Sequence, residues 1–406
     1  MNQQVIDYRS ARNLYRFFIF TSFASFLYAV INGRLNGDFL GKEVTLPFWL
    51  LFLNLIFTIL PFYVLWKFYL YFKNKSIKTK LKIPLNSLAI FLIILMCLNI
   101  IFTLLFGVGI MAAPNYEAPG YIKPFIQICN RFNYTYGSFI YIIAVSKKNR
   151  TQVLLIILLI ILSYLRAGLG IFLYISMLLY VKYYIEVNYF IKKRLLIIII
   201  LAFSFPFIVS FLYDIRDTLR LNKSEEVVAD PILGSLFGRL SSFSDAAFIL
   251  QEAPYFILKS QDLDPYYFQK QALGGVISQE FMPEQRPEKI LFWFYYEKLD
   301  VNVAYMAGTQ GNLYMSFMKS PFTFLLNIIT IIFFIYGTFF LFSKLAFKNS
   351  LELGFMLLLY VVMSGVSNEY AFLLFSIFVF FVLFLILNFF TTTIKHENSL
   401  YYSKIS

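Results

Sequence analysis

The chain has 406 residues, of which 60% are hydrophobic, 20% aromatic and only 14% charged. A soluble domain carries about 25% charged residues, so this composition excludes an ordinary soluble fold. The formal net charge of +13 sits mainly in short loops, as membrane topology dictates, and does not indicate nucleic acid.

Repeated apolar runs of roughly 20 residues mark a polytopic membrane protein. Lipid offers no partners to open backbone groups, so such runs are helices or barrel strands. None shows the period-two alternation of a barrel, and the expectation is all-α. Cys97 and Cys129 both lie in apolar runs, which argues against a disulfide framework and a cysteine-ligated zinc. The first apolar run has no small-residue cleavage site after it and reads as a retained anchor.

In chain order, the pattern predicts helix 1 over 14–31 and helix 2 over 47–72, kinked at Pro61. Five lysines follow between Lys73 and Lys82. Helix 3 is predicted over 85–111 and helix 4 over 125–145, ahead of Lys147, Lys148 and Arg150. Two short apolar segments, 153–165 and 171–184, are separated by Arg166-Ala-Gly-Leu-Gly170. They read as a helical hairpin, because one long helix would place a charge at mid-bilayer. Helix 7 is expected over 195–212, helix 8 over 322–342, helix 9 over 351–366 and helix 10 over 372–390.

About ten transmembrane helices result. Residues 1–212 hold the first seven, 213–320 form one long loop, and 321–406 hold the last three and a tail. The positive-inside rule places both termini and the lysine-rich loops in the cytoplasm and the long loop outside. That loop contains 14 of the 22 acidic residues and is expected to be helical.

Several polar positions are candidates for chemistry. Arg166 could hold a phosphate bidentately, or simply snorkel to the interface. Arg216 and Arg220 share a helix face and suit a pyrophosphate, or pair with Asp217 and Asp214. Arg239 precedes Ser241, Ser242 and Asp245, which suggest a capped helix start and an anion site. Asp262 and Asp264 have the spacing of a metal-binding acidic pair without its expected context. The run Leu291–Tyr296, containing Trp293, could stack on sugars or form an interfacial belt. Gln127, Asn130, Arg131, Asn133 and Tyr134 make a polar streak in helix 4 that lines a headgroup or sugar pocket, or glues helices together. Glu369 is expected to be solvated in a short outer turn. The lone His396 lies in the tail, and no phosphate loop, nucleophile elbow or zinc-protease motif is present. A transporter would be expected to show corresponding broken helices in two halves, and these are missing.

From about Phe125 onward the chain resembles bacterial oligosaccharide repeat-unit polymerases of the Wzy type. The Arg166 turn, Gly238-Arg239-Leu240, the Pro-rich stretch Ser278–Lys289 and Gly308–Phe317 are similar to that family's motifs and stand in its order. In the Pro-rich stretch, Arg286 stands where an arginine directly after Pro283 is expected, and no proline follows Lys289. The related O-antigen ligases use an outer-loop histidine, which this chain lacks.

The resemblance implies a GT-C-like membrane glycosyltransferase in the bacterial cytoplasmic membrane, working at its outer face without a soluble cofactor or metal. Its substrates would be oligosaccharide units on undecaprenyl diphosphate. Membrane lipid, a chain-length regulator and the pathway's flippase would be its partners, with no nucleic acid. Charge develops on phosphate oxygens as lipid diphosphate leaves, and preorganised arginines answer that need. Arg166, Arg216, Arg220 and Arg239 are the candidates, with Asp245 or Glu280 as base. Asn130, Arg131, Arg286, Lys289, Trp293 and Tyr314 would bind substrate. The alternatives are an O-antigen ligase-type transferase and a non-enzymatic flippase or exporter.

Overall fold

The computed structural model describes residues 8–75, 80–110, 119–146, 148–166, 168, 170–194, 240–294 and 306–402, the side chains of 390–402 excepted. The described chain is helical and contains no strand, only isolated bridges at Arg34–Glu43 and Leu81–Leu345.

Proline and short polar residues start many of the helices. Helix α1 spans Arg9–Asn32, and α2 spans Phe48–Asn74 after the extended Pro47. A one-turn 3-10 helix, Gly37–Phe39, lies between them. Helix α3 runs Leu85–Phe106 from Pro84 and stops at Gly107, five residues before the predicted end. Gly107 is left-handed, and its N–H bonds to Thr103 O at 2.9 Å, which closes the helix.

The predicted helix 4 is two helices, α4 (Lys123–Arg131) and α5 (Tyr134–Ala144). The polar streak explains the break. The Asn133 side chain accepts from the N–H groups of Thr135 and Tyr136 at 3.0 and 3.1 Å, an N-cap that restarts the helix in a new direction.

The Arg166–Gly170 break separates two helices, as the sequence pattern predicts. Helix α6 (Arg150–Leu165) begins with an Asn149–Gln152 capping box and ends at Arg166. Helix α7 (Gly170–Lys182) then bends by 95° into α8 (Tyr184–Lys193). Helix 7 of the sequence reading, 195–212, lies outside the described residues.

The middle segment is helical where described. It comprises α9 (Phe243–Gln251), α10 (Ala253–Ser260), α11 (Tyr267–Val276), a 3-10 turn at Gln279–Phe281, α12 (Pro287–Trp293) and α13 (Gly308–Lys319). Helices α14 (Pro321–Lys344), α15 (Ser350–Ser364) and α16 (Ser367–Tyr402) follow.

Among the described residues, five helices are long and apolar enough to cross a membrane: α1, α2, α3, α14 and the Ser367–Phe389 part of α16. The α7–α8 pair would be a sixth as one bent span. Each of the five has at least 22 residues, which at about 1.5 Å per residue exceeds the ~30 Å hydrocarbon layer. Helices α6 and α15 have 16 and 15 residues and fall short of that length. The protein is thus a multi-pass all-α membrane protein.

The middle helices share the core of the apolar ones. A single buried cluster runs from Ala11 to Phe384 and takes in Phe243, Phe248, Phe256, Tyr267 and Leu291. Helix α11 packs along α16, and α13 packs along α14. The Leu291–Tyr296 run is core where it is described. Leu291 and Phe292 are buried, and Phe294 stacks on Phe256 at 6.0 Å.

The tightest seam joins α13 to α15. A Cβ on Gly365, at φ +69°, would lie 2.0 Å from the Gly308 carbonyl carbon, so only glycine lets the backbones cross there. Asn312 Nδ2 donates to Gly365 O at 3.1 Å, and Thr309 Oγ1 donates to Val362 O at 2.6 Å.

Cross-contacts sort the helix ends into two sets. Leu81 N donates to Lys344 O at 2.7 Å, Lys182 Nζ donates to Val145 O at 2.8 Å, and Lys73 pairs with Glu352. This end gathers lysines. At the other end the middle helices meet the α1–α2 loop, through Thr45 N donating to Gln251 Oε1 at 3.1 Å, and the start of α16, through Ser367 and Phe268 O.

Candidate functional site

Arg166 lies at the end opposite the lysines. Its guanidinium is fixed by three neutral acceptors. Nε donates to Thr103 Oγ1 at 3.0 Å, Nη1 to the Tyr134 hydroxyl at 3.0 Å, and Nη2 to Asn99 Oδ1 at 2.8 Å. Its Cζ also lies 5.6 Å from the Tyr134 ring centroid.

The acceptors are themselves aligned. Thr103 gives its hydroxyl proton to Val108 O at 3.0 Å, and the Asn99 amide donates to Leu95 O at 2.9 Å. Each therefore offers an oxygen to the arginine. The guanidinium has five N–H groups. Among the described residues three of these are used, and no carboxylate bonds the group, so its charge meets only neutral acceptors there.

Gly109 makes this seat possible. Its φ is +82°, and a Cβ there would lie 2.9 Å from Arg166 Cζ and Nε. The arginine thus rests on bare backbone at the end of α3, a close approach open to glycine alone.

A polar layer continues from Tyr134 into the helix ends beside it. Tyr136, Tyr174 and Tyr360 interact electrostatically with Glu369. The Tyr174 and Tyr360 ring centroids are 4.5 Å apart. Glu369 was expected in a solvated turn. It stands in the first turn of α16, half-buried, and accepts from the Ser364 hydroxyl. The helix begins at Ser367 rather than Phe372, which turns this carboxylate inward.

Helix α12 adds a second carboxylate. Glu288 is 4% exposed, and Gln271 Nε2 donates to its Oε1 at 3.4 Å. Burial pushes its pKa above the ordinary carboxyl value, against the opposing pull of its own backbone N–H, the Arg286 charge and Gln271. Among the described residues its Oε2 has no hydrogen-bond partner, and neither do Gln271 Oε1, Arg286 Nε and Asn368 Oδ1, all buried atoms. Sequence reasoning quoted Glu288 within the Pro-rich stretch but gave it no role. Asn368 reads only as part of a polar turn and nothing in the sequence marks Gln271, because the packing of α11 on α16 is what brings them to Glu288.

The remaining candidates are distributed more widely. Arg131 Nη2 donates to Ile277 O at 2.6 Å and so ties α4 to the end of α11; Asn130 beside it is exposed. Asp245 is buried in the first turn of α9, whose start is the expected one. The cap there differs: the Ser242 side chain makes no cap bond, and Ser241 Oγ accepts from Phe243 N at 3.3 Å. Glu280 is exposed and lines an open cleft of about 420 Å³ with Asp262, Asp264 and Lys270. Asp264 is committed to an ion pair with Lys270.

Tyr314 donates to Asn54 Oδ1 at 3.0 Å, a bond between α13 and α2, and burial pushes its phenol up to about 12. Lys289 and Trp293 are half-buried on α12. Arg216, Arg220 and Arg239 lie outside the described residues. Among the described residues, no three His, Cys, Asp or Glu side chains gather as metal ligands would. No protein-family model matches the chain, no curated protein matches it, and no solved structure does.

Proposed function

We propose that the chain is a membrane glycosyltransferase that polymerises undecaprenyl-diphosphate-linked oligosaccharide repeat units into a surface polysaccharide. It would have about ten spans and a GT-C-like arrangement, with the lysine-rich end in the cytoplasm of a bacterium. The observation that carries this reading is the Arg166 seat: a guanidinium fixed by the neutral acceptors Asn99, Thr103 and Tyr134, with no carboxylate partner and two unused N–H groups among the described residues.

Glycosyl transfer from a lipid diphosphate needs positive charge already aimed at the leaving phosphate. A preorganised donor of this kind is worth about 10²–10³ in rate. The resemblance of the Arg166 turn, Gly238–Leu240, Ser278–Lys289 and Gly308–Phe317 to Wzy-type motifs, in that family's order along the sequence, supports the same reading. Product would be a longer glycan on one lipid carrier and a free lipid diphosphate.

The test is chain extension of a lipid-linked repeat unit by the purified protein in nanodiscs, compared with Arg166→Lys. Lysine keeps the charge but not the fork. A ladder of products with wild type and a loss of about 10²-fold with Arg166→Lys supports the reading. Full extension by Arg166→Lys overturns the phosphate role. Transfer of intact polymer to a different acceptor would instead make the protein a ligase.

A further inference from the structure

Glu288, Gln271, Arg286 and Asn368 form a cluster that the Arg166 chemistry leaves unused. Gln271 and Gly275 are one turn apart on α11. Gln271 meets Glu288 at 3.4 Å, and a Cβ on Gly275 would lie 2.8 Å from Asn368 Cβ. Glu369, next to Asn368, interacts electrostatically with Glu288. The cluster is graded, with Glu288 and Gln271 buried and Arg286, Asn368 and Glu369 half-buried. It therefore opens to the surface on one side.

Its unmet hydrogen-bonding capacity has a definite chemistry. Four buried polar atoms have no hydrogen-bond partner among the described residues: the acceptors Glu288 Oε2, Gln271 Oε1 and Asn368 Oδ1, and the donor Arg286 Nε. A buried polar atom left unmet is destabilising, and a ligand that meets it removes that cost. Three acceptors beside two carboxylates repel an anion, and the Arg286 guanidinium disfavours a metal cation. A group whose O–H units both donate and accept satisfies all four, and that describes a sugar.

We propose that this cluster is the acceptor-sugar site, with Glu288 Oε2 taking the proton from the attacking hydroxyl. This rests on reading the chain as a glycan polymerase. The acceptor oxygen bonds to the donor's anomeric carbon as the bond from that carbon to the diphosphate oxygen breaks. The electron pair leaves on the lipid diphosphate, and the hydroxyl proton passes to Glu288. The connection to Arg166 runs through α5 and α16: Tyr134 bonds Arg166, and Tyr136, two residues on, interacts with Glu369. Burial makes Glu288 a stronger base than a solvated carboxylate.

The experiment uses full-length protein in nanodiscs, with a fluorescent lipid-linked repeat unit and, separately, the free repeat-unit oligosaccharide. Glu288→Gln keeps the shape and removes the base. It is expected to lower kcat by about 10²-fold or more with little change in KM. Gln271→Ala is expected to weaken binding of the free oligosaccharide by roughly tenfold, about the value of one hydrogen bond to the sugar. Wild-type kcat in Glu288→Gln, from a polymerising wild type, overturns the proposal and leaves the polymerase reading intact. A wild type that polymerises nothing removes that reading, and the oligosaccharide arm still decides the site. Saturable binding lost in Gln271→Ala supports it, whereas no binding, or equal binding by both proteins, overturns it.

Discussion

Gly109→Ala tests whether the position of the Arg166 guanidinium matters, without touching the arginine. The added Cβ would sit 2.9 Å from Cζ and Nε, against an ordinary contact distance of at least 3.4 Å. The guanidinium must therefore move by about half an ångström. Its three hydrogen bonds, now 2.8–3.0 Å, would stretch toward the limit at which such bonds weaken. A misplacement of about 1 Å can cost roughly 10²-fold in rate, so half of that predicts about a tenfold loss. A non-glycine residue at φ +82° also costs about 1–2 kcal/mol of stability.

Gly33→Ala separates the two effects. Gly33 has φ +61°, and nothing lies within 4 Å of its Cβ position. It carries the same backbone strain and no contact with Arg166. The assay is the initial rate of chain extension in nanodiscs, alongside thermal unfolding of each protein. Gly109→Ala should be about tenfold slower than Gly33→Ala at similar stability. Equal rates for the two variants would refute a positional role for the guanidinium.

Lys73→Met should destabilise the protein by about 3–5 kcal/mol, because among the described residues it leaves the buried Glu352 carboxylate with Tyr69 alone as partner. Adding Glu352→Gln should recover most of that loss in thermal unfolding. Asn133→Ala removes the α5 cap and should cost about 1 kcal/mol, read in the same assay. Glu288→Gln should be at least as stable as wild type at pH 7. The folded protein holds the Glu288 proton more tightly than the unfolded chain, so wild-type stability falls as pH rises from the ordinary value of 4.5 to the raised folded value. Below 4.5 the two proteins should converge. Arg286 and Glu369 face the group, and Glu369→Gln is the control for its share.

The parts of the fold that local chemistry decides were readable in advance. Pro47, Pro84 and Ser320-Pro321 mark helix starts that the structure keeps, and the Arg166–Gly170 break marks the α6–α7 turn. Asn133 was legible as part of a polar streak but not as a cap, because apolar residues continue on both sides and periodicity favours one unbroken helix. The start of α16 was missed for the converse reason. Ser367-Asn-Glu-Tyr is polar enough to read as a turn, yet Ser367 and Tyr370 are buried against α11 and α13, and that packing outweighs the polarity. Arg166 could be singled out because a charge beside a glycine-rich break is rare in apolar sequence. Its seat could not, since Asn99 and Thr103 on α3 and Gly109 in the turn after it lie more than fifty residues earlier. Glu288, Gln271 and Asn368 likewise meet only once α11, α12 and α16 pack together.

The central claim is polymerisation, and a gel of surface polysaccharide from a deletion strain tests it most directly. Strains complemented with wild type and with Arg166→Lys run beside it. If the chain polymerises repeat units, the deletion strain carries a single repeat unit, wild type restores a full ladder, and Arg166→Lys gives a severely reduced one. A full ladder in the deletion strain would contradict it.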